Sequence, residues 1–382
     1  MVRSCISSQP DSTGAILVAV AIGTMSGTSM DGVDVALIET DGETVSRFGA
    51  YLAREYSPTE RHILRGAVNA AKEMTDRTAR PAPIADAEKL LTEIHVKTID
   101  ALLQQAGVHP SGVDVVGFHG QTILHRPERR LTVQIGDGES LAKRLKIPVV
   151  YDFRAADVAA GGQGAPLVPA FHRALLRAFD NGPIVVVNIG GVANVTYIDG
   201  NAEPIAFDTG PGNAPMDELM LSRSGKPMDE GGAVAASGVA DASLIAAALA
   251  HKFFALDPPK SLDRADFERF DLNALSLPDA LATAAGIIAS SIALSRKHFP
   301  KEPKRWIIAG GGARNPTLVK LLRGKLAPAR VQTAEEIGWQ SSAVEAQAFA
   351  FLAVRSIKNL PLSFPKTTGV SAPMTGGVLV RP

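Results

Sequence analysis

A single cysteine, Cys5, in 382 residues excludes an internal disulfide framework and any zinc site built on several thiolates. It agrees with a reducing, cytoplasmic compartment. Aromatic residues make up only 5% of the chain, which suits small-ligand chemistry better than stacking on bases. Neither sign of charge is in excess, since 39 Lys and Arg balance 39 Asp and Glu. The chain therefore lacks the global basic surplus of a nucleic-acid-binding protein. A membrane-spanning helix needs roughly 20 apolar residues, and the early apolar run Ala15–Ile22 is far shorter. Arg3 ahead of that run suggests a secretory leader, but Asp11 interrupts the approach and no cleavage pattern follows. The eight histidines show no metal-ligand spacing. Neither a GxxxxGK[ST] loop nor a clean GxGxxG fingerprint occurs.

What is abundant is glycine, 35 residues of it, and the length leaves room for two to three domains of about 150 residues. Residues 1–13 read as a loose extension, followed by a buried first strand at Ala15–Ile22. Further strands are expected at Val33–Glu39, Asp114–His119, Leu131–Ile135, Pro148–Tyr151, Ile184–Ile189, Asn194–Ile198 and Trp306–Ala309. Helical spacing is read at Pro58–Ala71, Pro83–Ala106, Ala165–Ala178, Pro215–Ser222, Ala240–Phe254, Asp279–His298, Pro316–Lys325 and Ser341–Ser356. Such alternation argues for an α/β class. Three apolar strands run straight into glycine-rich turns: AVAIGTMSGTSMDG, VVVNIGGVANV and WIIAGGGARNP. Three such turns suggest two lobes meeting over one ligand.

Glycines let the backbone approach closely and turn successive N–H groups toward phosphate oxygens. In the first turn, Ser26, Thr28 and Ser29 add hydroxyl donors, and Asp31 or Asp34 can hold Mg²⁺, in part through water. Asp31-Gly32 also signals an ordinary hairpin, and a hairpin between the flanking strands puts this loop at its tip. The run GTSM occurs around the serine of subtilisin-like proteases, but there Ala and a nearby Pro follow, whereas here Asp31-Gly32 does. The surroundings of His119 do not match that family's histidine motif either, so a protease is rejected.

Four groups stand out as chemistry. Asp208, in AFDTGPGN, ends an apolar strand ahead of a Gly/Pro turn; apolar neighbours raise such a carboxyl toward a useful base. An Asp beside glycine more often makes an Asx turn or helix cap, and on local residues alone that reading leads. Arg154, in DFRAAD, has the fork that clamps a carboxylate, or it pairs with Asp152 or Asp157. His119 and Gln121, in GFHGQT, are polar groups at a strand end that suit sugar hydroxyls, although a lone histidine is usually structural. Glu345 is the only charge in SSAVEAQAFAF, either facing a ligand or lying on the solvated side.

Taken in order, GTMSGTSMDGVDVALIE, GFHGQT, DFRAADVAAGGQGAPLVP, NIGGVANVT, FDTGPGN and AGGGARNP resemble the anhydro-N-acetylmuramic acid kinase family. The likeness runs from about Ile22 to the C-terminal TGVSAPMTGG. It implies two ribonuclease-H-like, actin-like ATPase lobes around an interlobe cleft. We expect residues 1–148 with 366–382 in the N-terminal lobe and 149–365 in the C-terminal one. The resemblance implies that Ser26, Gly27, Thr28, Ser29, Met30, Asp31, Gly32 and Val33 form a first phosphate loop. Asn188, Gly190 and Gly191 then belong to a second, while Gly310, Gly311 and Gly312 lie against the adenosine. It makes Asp208 the catalytic base, reversing the local reading, and His119, Gln121, Arg154 and Glu345 the sugar contacts. It further implies that ATP with Mg²⁺ phosphorylates O6 of 1,6-anhydro-N-acetylmuramic acid as water opens the anhydro bridge, a step of peptidoglycan recycling. No dedicated metal ligands, nucleic acid or membrane are expected, and the family suggests a cytoplasmic homodimer. Other possibilities are a conventional sugar kinase of the same superfamily and a nucleotide-dependent clamp without turnover.

Overall fold

A computed structural model describes residues 18–179, 182–262 and 271–382. The extension at 1–13 and the start of the first expected strand lie outside the described residues. Among the described residues thirteen strands follow in order: β1 Ala19–Met25, β2 Gly32–Thr40, β3 Val45–Glu55, β4 Val115–Phe118, β5 Gln121–Arg126, β6 Leu131–Ile135, β7 Val149–Tyr151, β8 Ile184–Ile189, β9 Val192–Ile198, β10 Ile205–Pro211, β11 Arg305–Ala309, β12 Arg330–Thr333 and β13 Val378–Val380. The chain divides into two compact units, 1–175 with 342–382 and 176–341.

The first unit carries a six-stranded sheet of order β13-β7-β4-β1-β2-β3. β1, β2 and β3 are an antiparallel meander, while β4 and β7 run parallel to β1. The second unit repeats the plan as β10-β9-β8-β11-β12, with β11 and β12 parallel to β8. Three antiparallel strands followed by two parallel ones, twice over, is the expected ribonuclease-H-like arrangement. The sequence expectation placed 149–365 together, but the boundaries fall at 175/176 and 341/342. Val149–Tyr151 pairs with β4, and helix Val344–Ile357 packs on β1, β2 and β4, so both belong to the first unit.

Alternation explains the layers. On β2, Val33, Val35 and Leu37 enter one core with Leu64, Leu91, Ile94 and Ile99 from helices Pro58–Ala71 and Ala82–Ala106. Ser57 starts the first of these helices with a capping box closed by Glu60, a device worth about 1 kcal/mol. The other sheet face receives helix Val344–Ile357 at unusually close range. A Cβ on Gly23 would stand 1.9 Å from the Ala346 carbonyl oxygen, and one on Gly117 2.1 Å from that of Phe349. Only glycine permits that approach.

The second unit's core gathers Val185, Val187, Val195, Phe207, Trp306 and Ile308 against helix Leu277–Leu294. That helix and its 3₁₀ extension to His298 are long and apolar enough to cross a membrane, but residues Ala280–Ile292 are buried in this core. Other expectations shift locally. The helix expected over Ala165–Ala178 begins at Pro169, and that over Ala240–Phe254 splits into Ala242–Leu249 and a 3₁₀ turn, Lys252–Ala255.

Candidate functional site

The first glycine-rich turn sits at the tip of the β1–β2 hairpin, as the Asp-Gly signal implied. Its residues divide by role. Ser26 is fully buried, and its hydroxyl donates to Gln121 Oε1 at 2.5 Å while the Tyr56 hydroxyl lies 2.7 Å away. Gln121 Nε2 then donates to the Gly27 carbonyl at 3.1 Å. Ser26 and Gln121 are thus brought together, but their polar atoms stiffen the loop from within; the Ser26 hydroxyl is not the outward donor read from the sequence. Burial pushes the Tyr56 hydroxyl up to about 12, against the Ser26 hydrogen bond, so it stays protonated. Met30, at φ 56, and Val33 turn their side chains into the core. Gly27 is partly exposed and Thr28, Ser29 and Asp31 are exposed, forming the outward part of the loop, with Gly32 partly covered.

His119 and Arg154 are neighbours. Arg154 Nη2 lies 3.0 Å from His119 Nε2 and Nη1 donates to the Gly164 carbonyl at 2.9 Å. Burial, aided by the Arg154 charge, pushes the His119 imidazole down to about 3. A neutral ring follows, with Nδ1–H donating to the Gly120 carbonyl at 2.7 Å and Nε2 accepting from Arg154. Neither expected carboxylate takes Arg154. Asp152 holds Arg77 at 2.5 Å, and Asp157 accepts Gly164 N–H at 2.6 Å, Thr368 Oγ1 at 2.6 Å and the Ser363 hydroxyl.

Glu345 opens helix Val344–Ile357 and is exposed at its surface. Lost hydration from the protein around it nonetheless raises its carboxyl; Arg154 opposes this and Asp34 adds to it. Asp34 is raised as well, by burial and by Asp31, against a 2.5 Å hydrogen bond from the Tyr51 hydroxyl. Asp31, Asp34, Arg154 and Glu345 therefore share one electrostatic neighbourhood.

In the second unit, register does the assembling. β11 runs beside β8 with Ala309 opposite Asn188, so the turns after both strands adjoin. Gly310, at φ 77, lies where a Cβ would be 2.4 Å from Asn188 Oδ1, and a Cβ on Gly212 would be 2.1 Å from the Gly190 carbonyl oxygen. Asn213 ties these turns, its N–H donating to the Gly190 carbonyl at 2.7 Å and its Nδ2 to that of Ile189 at 3.2 Å. The Gly190–Gly191 and Gly310–Gly311 turns thus lie side by side, with Gly312 buried beneath them against Ile189.

Asn188 pairs with Asn194, and Asn194 with Asp208. Directly opposed residues share a sheet face, so the three make a partly exposed polar row, with Asp208 about 10 Å from Asn188 at two strand spacings. Asp208 is not in the local Asx turn that its neighbours favoured. Its N–H donates to the Lys260 carbonyl at 3.0 Å, and its Oδ2 accepts Leu262 N–H at 2.8 Å, from residues far along the chain. A register shift before Gly210 re-aims the strand at this point. Burial lifts the Asp208 carboxyl to about 6, against the Leu262 hydrogen bond.

Sequence reading missed Tyr56, Asn213 and the Lys260–Leu262 segment. Asn213 was within reach, since it stands in the quoted motif FDTGPGN. Tyr56 and Leu262 carried no local signal.

Residues 19–382 match the family model of anhydro-N-acetylmuramic acid kinase. A relative of that name from Nitrobacter winogradskyi is 56% identical over 363 residues, covering 95% of this chain and 99% of its own. One from Bradyrhizobium diazoefficiens is 54% identical with the same coverage. Among solved structures, the (R)-2-hydroxyglutaryl-CoA dehydratase component A of Acidaminococcus fermentans overlays 89% of this chain and 99% of its own, at 12% identity and a TM-score of 0.45.

Proposed function

The chain belongs to the anhydro-N-acetylmuramic acid kinase family, and from that premise we propose that it couples hydrolysis of a 1,6-anhydro bridge to phosphorylation by ATP. The acceptor is 1,6-anhydro-N-acetylmuramic acid and the product N-acetylmuramic acid 6-phosphate. Asp208 takes a proton from the water that attacks C1. The C1–O6 bond breaks, O6 bonds to the γ-phosphorus, and ADP leaves. The observation that carries this reading is the Asp208 carboxyl, fixed on β10 by Leu262 N–H and raised to about 6. Such a group is ionised near neutral pH yet basic enough to accept a proton.

In the first unit Gly27–Ser29 serve as a phosphate loop; in the second, the Gly190–Gly191 turn does the same and Gly310–Gly312 serve the adenosine. His119, Gln121, Arg154 and Glu345 serve the sugar. Arg154, lacking an ion-pair partner among the described residues, suits the lactyl carboxylate, and Gln121 acts chiefly through the loop it braces. Mg²⁺ fits the chain through Asp31 and Asp34, two carboxylate oxygen donors, of which Asp34 is raised by burial and, less, by the Asp31 charge. When bound, it neutralises phosphate charge. A cytoplasmic homodimer serving peptidoglycan recycling completes the proposal.

The test incubates purified protein, and Asp208→Asn alongside, with ATP, Mg²⁺ and the anhydro sugar, and weighs the product. A gain of one phosphoryl group plus one water, absent with the variant, is expected. A gain of the phosphoryl group alone identifies a conventional sugar kinase. ATP binding without any sugar turnover leaves the clamp.

A further inference from the structure

Within the second unit, β10 is an edge strand of its sheet, so no neighbouring strand holds its outer side. Alternation sends Phe207 into the core and puts Asp208 on the other face. The chain between the 3₁₀ turn Lys252–Ala255 and Leu262 lies against this edge. The Asp208 N–H donates to the Lys260 carbonyl at 3.0 Å, and Leu262 N–H donates to Asp208 Oδ2 at 2.8 Å. Two backbone groups of one short segment thus fix both the main chain and the carboxyl of Asp208. That segment has little burial of its own to hold it, since Ala255, Leu256, Asp257 and Pro259 are exposed.

The Lys260 side chain supplies the hold. An ammonium has three N–H donors, and this one has three acceptors: the Leu256 carbonyl at 2.9 Å, the Phe253 carbonyl at 3.3 Å and His298 Nε2 at 3.4 Å. The same nitrogen lies 4.8 Å from the centre of the Phe253 ring and 5.7 Å from that of Phe207, within cation–π reach. Leu262 packs on the Phe253–Phe254 pair. One side chain therefore ties the start of the segment, β10 and the 3₁₀ turn Ser295–His298 together. The other charged groups here are Lys297, whose Nζ donates to the Phe254 carbonyl at 2.5 Å, and Asp257, 3.8 Å from His298 Nδ1. Burial, then the charges of Lys260 and Lys297, lower His298, so its ring is neutral near pH 7 and Nε2 accepts. With all three donors engaged, Lys260 has none left for a phosphate or a sugar.

We propose that Lys260 is a positioning residue for the reaction: by gathering residues 253–262 it presents the Leu262 N–H that aims the Asp208 carboxylate. The inference rests on Asp208 as the base. Without the ammonium, the segment loses its anchor at the Leu256 and Phe253 carbonyls, and water reaches the carboxyl. A base displaced by about 1 Å is enough to slow chemistry 100-fold, while ATP and sugar still bind through other groups.

The experiment measures kcat, KM and the acid limb of kcat/KM for wild type, Lys260→Met and Lys260→Arg with ATP and the anhydro sugar. Methionine keeps an apolar stem over the two rings but has no donor; arginine keeps the charge and several donors. Lys260→Met should lower kcat roughly 10- to 100-fold and change either KM less than about threefold. Its acid limb should sit about one pH unit below the wild-type midpoint, because burial raises Asp208 and hydration relieves it. Lys260→Arg should restore kcat to within about threefold of wild type, with the wild-type midpoint. Leu262→Pro removes the N–H itself; it should reproduce the loss of kcat, and adding Lys260→Met should then cost little more. A Lys260→Met enzyme with wild-type kcat, or a slow one whose midpoint stays or climbs, would overturn the inference and leave Asp208 as the base. So would an arginine variant no better than methionine, or losses from Lys260→Met and Leu262→Pro that multiply. A wild type without sugar turnover, or without an acid limb near pH 6, would overturn the reading of Asp208 as well.

Discussion

Replacing Asp208 by Asn should stop turnover and, at the same time, make the second unit more stable. The folded protein lifts this carboxyl from its ordinary 3.8 to about 6. At 1.36 kcal/mol per pH unit, that rise means roughly 3 kcal/mol of disfavoured ionisation. The side chain keeps some contact with water, which lowers the figure to about 2 kcal/mol. The sign follows from linkage: a carboxyl raised on folding weakens the fold while ionised, and the penalty fades as pH falls from 6 toward 4. Asn is isosteric, and its Oδ1 can still accept Leu262 N–H. Calorimetry of ligand-free protein between pH 4 and 8 would measure the difference. Because two units are present, the reading comes from the transition that shifts, not from one global midpoint. At roughly 2–4 °C per kcal/mol for a unit of this size, the variant should melt about 4–8 °C higher at pH 8, and the gap should close by pH 4. A variant equal to or less stable than wild type at pH 8, or a gap that ignores pH, would refute the claim that burial strains this carboxylate.

Three further outcomes are expected. With Asp208 as the base, kcat/KM should fall on the acid side with a midpoint near pH 6 and a slope of one, and stopped-time assays across pH 4.5–8 would show it; His119, pushed down to about 3, should add no second limb. Gly310→Ala, which forces a Cβ to within 2.4 Å of Asn188 Oδ1 at φ 77, should weaken ATP binding at least tenfold by calorimetric titration and destabilise the second unit by about 2 kcal/mol. Tyr56→Phe removes the hydroxyl beside Ser26; it should cost about 1 kcal/mol and raise the KM for ATP more than it lowers kcat.

Periodicity reveals elements whose two faces meet different surroundings, and that governs what was legible. β1, β8 and β11 are apolar runs that end at glycine, and their fold class follows from that pattern. β3 escaped because Val45–Glu55 is largely exposed, at the sheet edge, with no alternation to read. The helix expected over Ala240–Phe254 broke because His251 begins a new turn, accepting from Phe253 N–H. In the site, motifs identified residues but not the direction of their side chains. Ser26 looked like a loop donor and is a buried brace; Arg154 read either as a carboxylate clamp or as paired with Asp152 or Asp157, and among these residues it meets His119 instead of either aspartate. Asp208 illustrates the limit most clearly. Its neighbours favour a local turn, whereas the burial that raises it and the Leu262 N–H that holds it are both supplied only by the tertiary fold.

The order in which the units occupy the chain bears on how the molecule is made. Residues 176–341 form an uninterrupted unit, so a ribosome releases everything that unit needs in one stretch. The first unit must wait. Its β1 is among the earliest segments to emerge, yet the helix that lies on Gly23 and Gly117 belongs to residues 344–357. Until that helix arrives, one face of the earliest sheet stays uncovered, a long interval at about 5–20 residues per second. Synthesis thus completes the unit bearing Asp208 before the unit bearing the hairpin loop, and nascent chains stalled before residue 342 should present an apolar sheet face that chaperones can bind.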